Sequence, residues 1–186
     1  MWFDVVNRFS FEHIYGGEAD CLAEVVERAV RLGVNLAEAN LMRADLSGVD
    51  LKNAKMSRAY FYGANLSHAV LRGADLTDAK LSKADVTSAD LHGANLRSAN
   101  LHRAILAGAD LSSANLERAD LIGANLAGAL LVNASMIGAF LTSADLTDAD
   151  LTGADLTRAQ TLLARGLTMD LESYDYPGGK FRMGAV

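Results

Sequence analysis

Four histidines, one cysteine and the aspartates that recur through the middle of the chain are the side chains that could carry acid–base, nucleophilic or metal chemistry. His13, His68, His92 and His102 are dispersed, and none stands at the close spacing with which paired ligands hold a zinc ion, so no metal and no cofactor is expected. Cys21 has no second cysteine to pair with, which fits a reducing compartment, and it reads as a small core residue rather than a nucleophile. Asp45, Asp85 and Asp145 are separated by multiples of twenty residues. Such spacing spreads carboxylates in a line instead of converging them in a dry pocket, as general acid–base work requires. The expectation is a protein that is not an enzyme.

What sets that spacing is a five-residue phrase, Ala-Asp/Asn-Leu-x-x, running without a slip from Val34 to Arg158. Its centres run from Leu36 to Leu156, and 21 of the 25 are Leu, with Met56, Phe61, Val86 and Met136 the exceptions. Ala stands two residues before the centre in all but the repeats of Val34 and Val49. An α-helix cannot use this pattern, because a step of five advances about 140° net and scatters the leucines around the circumference. A flat strand fails too, since a period of five throws successive leucines onto opposite faces. The backbone must instead turn a corner every five residues. Four such sides close a square coil, with Leu and Ala pointing inward, and coils stacked about 4.8 Å apart satisfy one another's backbone. The repeats amount to about six coils in a rod on the order of 30 Å long.

Ala39-Asn40-Leu41, Ala44-Asp45-Leu46, Ala64-Asn65-Leu66 and Ala74-Asp75-Leu76 resemble the pentapeptide-repeat family, and the likeness covers about two thirds of the chain. The resemblance implies an all-β solenoid, a right-handed quadrilateral β-helix. For some relatives it also implies a DNA-like rod that binds DNA gyrase or another type II topoisomerase and protects it from quinolones or toxins. The head, with Asn7-Arg8 and Glu18-Ala19-Asp20, is similar to the segment preceding some bacterial and phage repeats of this kind.

Three parts are expected: a capping segment over 1–33, the β-helix over 34–159, and a capping or dimerisation tail over 160–186. In the head, residues 2–6 and 10–15 read as two short strands broken by Gly16-Gly17. An amphipathic helix over about 20–32 follows, with Asp20 as N-cap, Leu22, Val25, Val26, Ala29 and Val30 on its apolar side, and Gly33 at its end. In the tail, Leu162-Leu163-Ala164 reads as a helical turn stopped by Gly166. Tyr174, Tyr176, Phe181 and Met183 flank a Pro177-Gly178-Gly179 turn. No apolar stretch suits a membrane span or a secretory signal, and the expected location is the cytoplasm.

Counting every twenty residues sorts the outward positions into four faces. One holds Asp45, Asp85, Asp145 and Asp148, with no Lys or Arg through residue 158. The face before it gathers Arg43, Lys80, Lys83 and Arg103 against Asp120, and adds Tyr60, Tyr62, Met42 and His102. A third sets Asp50, Asp90, Asp110 and Asp150 against Lys52 and Arg72, and the fourth mixes both signs and cancels. Towards the end, Ile122, Leu130, Val132, Ile137 and Phe140 replace polar residues and suggest an interface covered by the tail or by a second copy. The Asp or Asn before each Leu has a local use, hydrogen bonding to the turn backbone.

The net charge of −6 argues against direct nucleic acid binding, which needs excess Lys and Arg. The expected function is therefore a protein–protein interaction rod or scaffold presenting segregated charged faces, with a protein partner, a homodimer through the C-terminal end, or both. The topoisomerase-binding DNA mimic is the alternative.

Overall fold

The computed structural model describes residues 1–167, so the aromatic arms and the Pro177-Gly178-Gly179 turn expected of the tail lie outside the described residues. The chain opens with β1 (Trp2–Val6) and β2 (His13–Glu18), paired antiparallel with an irregularity between Val5 and Val6. β2 runs through Gly16 and Gly17 instead of ending at them. The pairing leaves no room for a side chain at Gly16, where a Cβ would come within 2.8 Å of the Phe3 carbonyl oxygen. Here glycine permits close approach instead of breaking the strand.

The helix α1 (Leu22–Arg31) follows, and its N-cap is Cys21 rather than Asp20. Cys21 has the extended backbone of a cap without a capping side chain, while Glu24 accepts a hydrogen bond from the Asp20 N–H at 3.1 Å. Cys21 is exposed, contrary to its expected place in the core. At a cap the side chain points away from the helix face that packs. That face, Val25, Val26 and Ala29, is fully buried in the same core as Leu36.

From residue 40 onward every outward bridging residue pairs in parallel with the residue twenty later, from Asn40↔Tyr60 to Asp145↔Arg165. A step of twenty with a corner every five residues is a four-sided coil. Each side ends in a β-turn: Ala44 N–H bonds the Leu41 carbonyl at 3.2 Å, and Arg43 between them has φ 55°. A positive φ at the third turn position is the geometry of a type II turn, which glycine adopts without strain. The corner position is filled by Gly48, Gly63 and other glycines, yet also by Arg43, Lys83 and Arg103. Leu163 holds the same conformation at φ 59° and Arg165 bridges Asp145, so Leu162-Leu163-Ala164 is one more corner and not a helical turn.

Inward positions are close to fully buried. Phe61, Met56, Met136 and Val86 sit in the column as the leucines do, and no polar or charged residue is buried among the described residues. The outward Asp and Asn serve the corners. Asp85 Oδ1 accepts the Thr87 N–H at 3.0 Å and its hydroxyl at 2.6 Å, and Asn115 Oδ1 accepts the Glu117 N–H at 3.0 Å. Since either residue supplies the same acceptor oxygen, the preference for Asp or Asn needs no ligand.

These turns have a pH consequence. Hydrogen bonds from the side chain and backbone of Ser47, Thr147 and Thr152 hold the carboxyls of Asp45, Asp145 and Asp150 below their ordinary value of 3.8. Burial pushes Asp110 up, but the Ser112 hydrogen bonds with His92 and Arg72 nearby outweigh it. A carboxyl depressed in the folded state stabilises it above the unfolded value and loses that contribution as pH falls through the folded one. Melting temperature followed by circular dichroism should therefore be level above 3.8 and drop below it. Asp145→Asn should shrink the drop, because the amide oxygen still accepts the Thr147 N–H. A melting temperature unchanged down to pH ~2 contradicts the assignment.

Candidate interaction face

The twenty-residue step stacks outward residues into columns, so each face can be read along the rod. The face of Tyr60 is built on the bridge series Asn40, Tyr60, Lys80, Asn100, Asp120, Phe140 and Gln160. Tyr60 and Tyr62 lie stacked there with ring centroids 6.4 Å apart and an interplanar angle of 24°. Cations flank the pair: the Lys83 ammonium lies 5.6 Å from the Tyr62 centroid, and the Arg8 guanidinium 5.7 Å from that of Tyr60. Arg8 comes from the head, tied to the first coil by its N–H to the Glu38 carbonyl at 2.9 Å, and its guanidinium also covers Phe9 at 4.2 Å. Periodicity gives no sign of Arg8 and Phe9, because the Asn7↔Ala39 bridge and the bonds of Arg8 to Glu38 and Asn40 to Val6 bring the head beside this face.

The corner column of the same face is Arg43, Gly63, Lys83, Arg103, Gly123. The Arg43 and Arg103 side chains extend over the next corner, where a Cβ on Gly63 or Gly123 would lie 3.7 or 3.4 Å from their Cγ atoms. Glycine at that corner leaves space for the long side chain to lie along the rod. Arg43, Lys83 and Arg103 are exposed and Lys80 half-buried. None of them enters the ion pairs found among the described residues, which join His13 to Asp4, Arg58 to Glu38, Arg72 to Asp90 and Arg97 to Glu117. Arg72 on the Leu130 face and Arg58 and Arg97 on the Arg58 face are paired with acids of their own face, whereas the cations named here pair with no acid among the described residues. Asp120, the acid on this face, accepts the Ile122 N–H at 3.1 Å.

The five apolar residues expected to form one cluster lie on three sides. Phe140 bridges Asp120 and Gln160, and the Ile122 carbonyl accepts the Arg103 N–H, which places both on the Tyr60 face. Leu130 bridges Asp110 and Asp150 on the opposite face, with Val132 beside it, and Ile137 lies on the side between. A break in a linear repeat looks continuous in sequence, but three successive sides of a square point in three directions. The Tyr60 face instead gains Leu162 and Leu163, which are 70% and 73% exposed. Of the six large apolar side chains exposed on the described coils, Met42, Phe140, Leu162 and Leu163 share this face, against Ile105 and Leu130 elsewhere.

The Asp45 face aligns Asp45, Asn65, Asp85, Ile105, Asn125, Asp145 and Arg165. Asp45 accepts a hydrogen bond from the Asn65 amide at 3.0 Å, and Asp148 occupies an exposed corner with φ 57°. Arg165 continues this column past the expected end of the repeats, setting a cation beside Asp145. An open cleft of about 340 Å³ lies between α1 and the Leu130 face, lined by Glu27, Val30, Arg31, Asp50, Lys52 and Asn53. It contains charges of both signs and no Ser, Cys or His nucleophile or base. Among the described residues no group of His, Cys, Asp and Glu is placed to hold a metal, and no helix is long and apolar enough to cross a membrane.

The family model for pentapeptide repeats matches residues 32–58, 54–93, 94–131 and 124–159, in eight copies. The chain belongs to the pentapeptide-repeat family. Proteins of this family form right-handed quadrilateral β-helices, in keeping with the twenty-residue step. Comparison with curated proteins finds no match. Among solved structures, the chain is similar to a pentapeptide repeat protein from the Arabidopsis thaliana thylakoid lumen, with 33% identity over 51% of this chain and 66% of that one, TM-score 0.50. It is also similar to Rfr23 from the cyanobacterium Cyanothece 51142, with 42% identity over 46% of this chain and 58% of that one, TM-score 0.45. The match thus spans less than two thirds of either relative. A third likeness is to QnrB1, a plasmid-mediated fluoroquinolone resistance protein, with 20% identity over 76% of each chain and TM-score 0.36.

Proposed function

We propose that this pentapeptide-repeat protein is a non-enzymatic interaction rod of about six coils, closed at its N-terminal end by the head and α1, and that it docks a protein partner along the Tyr60 face. One observation carries the reading: Arg43, Lys80, Lys83 and Arg103, which enter none of the ion pairs among the described residues, share one side with four of the six large exposed apolar side chains of the described coils. Exposed apolar side chains gathered on one surface mark interaction sites more often than the same residues scattered singly. The interior fits the non-catalytic part of the reading, since Ala and Leu fill the column and no polar or charged residue is buried among the described residues.

The test is capture of partners from the native host by the purified protein, compared with two variants. Lys83→Glu combined with Phe140→Asp should lose the captured proteins, whereas Asp85→Lys combined with Asp148→Lys should retain them. Loss with the second variant alone moves the site to the Asp45 face. Purified protein is also expected to leave gyrase supercoiling unchanged. Inhibition of gyrase at stoichiometric concentration, or its protection from a quinolone, replaces this reading with the DNA-mimic one.

A further inference from the structure

The Tyr60 face is not uniform along its length. Its first half carries Arg43, Lys80, Lys83 and Arg103 around the tyrosine pair, and its second half carries Ile122, Phe140, Leu162 and Leu163. The step from Arg43 to Leu163 is six coils, about 30 Å at the strand spacing. Building on the interaction-rod reading, we propose that the occupant is an acidic segment of another protein, lying along the rod with its carboxylates over the cationic half and an apolar end over the Phe140 half.

A second copy is a poor occupant on charge grounds. Docking this face on its own copy in parallel sets cation against cation; in antiparallel it sets the cations against Ile122, Phe140 and Leu162. Docking it on the Asp45 face of a copy sets either Asp45 or Asp145 and Asp148 against the apolar half. Each arrangement desolvates a charge without a partner, which costs more than the apolar contact returns. Nucleic acid would suit the tyrosines and cations but not the apolar half, and the chain's net charge of −6 opposes it. A segment with carboxylates at one end and apolar residues at the other matches both halves. Arg8 and Lys83 lie against aromatic rings and enter no ion pair among the described residues, which leaves both charges to face carboxylates of a partner.

The probe is a fluorescein-labelled synthetic peptide of alternating glutamates followed by Leu-Phe-Leu, titrated with the full chain at low salt and read by anisotropy. The expected result is saturable binding that weakens about tenfold or more in Lys80→Glu/Lys83→Glu. Phe140→Asp should weaken the same peptide and leave one lacking Leu-Phe-Leu unaffected. Lys83→Gly serves as a folding control, because glycine suits the positive φ at that corner. It should bind more weakly while melting no lower than the parent. Equal or tighter binding of a lysine-for-glutamate peptide or of oligo-dT overturns the proposal.

Two further outcomes also overturn it. In one, the peptide binds only when Asp170, Glu172 and Asp175 are replaced by lysine, which makes the chain's own tail the occupant. In the other, a concentration-dependent dimer is abolished by Lys83→Glu, which makes it a second copy. If the peptide fails to bind but partner capture still depends on Lys83 and Phe140, only the acidic chemistry falls. If capture ignores both residues, the interaction face itself is wrong.

Discussion

Leu96→Ala should lower the free energy of unfolding by about 2–5 kcal/mol, the range for emptying a filled core position. Leu96 is fully buried, as are Leu76 and Leu116 in the same column of the coils on either side. The backbone around it cannot close the gap. Leu96 N–H bonds the Asn115 carbonyl at 2.7 Å and Leu76 N–H bonds that of Asn95 at 2.8 Å, so spacing to both neighbours is set by the ladder. Leu96→Asp should do more, because a carboxylate there has no partner and no water. Each coil of a solenoid touches only its neighbours, so a defect in the middle uncouples the two halves. Urea denaturation should show a lower midpoint for Leu96→Ala, and for Leu96→Asp a broadened or two-step transition. Arg97→Ala, one residue on and exposed, should stay within about 0.5 kcal/mol of the parent. A Leu96→Ala midpoint no lower than that of Arg97→Ala contradicts the packed column.

That contrast explains what the sequence made legible. Leu96 and its equivalents repeat because every coil solves the same packing problem, so one period revealed corner, side and core together. The Asp and Asn positions were legible for the same reason, each serving its own corner, as Asp85 does for Thr87. The interaction face was legible only in part. Counting by twenty put Tyr60, Tyr62, Lys80 and Lys83 together, because the coil length follows from the repeat. Grouping Leu130 with Phe140 failed, because closeness along the chain is not closeness around a square. Arg8 and Phe9 were invisible because their contact with Tyr60 depends on how the non-repeating head meets the first coil, which no periodicity reports. The N-cap was misplaced by one residue for a related reason: a single cap is chosen by local geometry, and Glu24 reaching back to the Asp20 N–H competes with an aspartate cap.

The head also supplies the second large expected effect. Val26→Asp should both destabilise the protein and make it self-associate. Val25, Val26 and Ala29 are fully buried in one core with Leu36, and the head is stitched to the first coil by backbone bonds at both ends. Val34 N–H bonds the Ala29 carbonyl at 2.9 Å, and Asn40 N–H bonds that of Val6 at 2.8 Å. A carboxylate at Val26 cannot remain in that core, so α1 must lift or the charge must be buried unpaired. The second course costs on the order of 3 kcal/mol or more. Lifting α1 uncovers the leucine column and strand edges of the first coil, a template on which another chain can stack. Val26→Asp should accordingly melt at lower temperature and sediment as concentration-dependent oligomers, whereas Arg31→Ala, on the exposed side of α1, should match the parent in both. The two variants separate closure from helix stability, since both sit on the same ten-residue helix and only Val26 is buried in the core shared with Leu36. If Val26→Asp stays monomeric with an unchanged melting temperature, α1 does not close the rod, and the end must be protected by the hydrogen bonds of β1 alone.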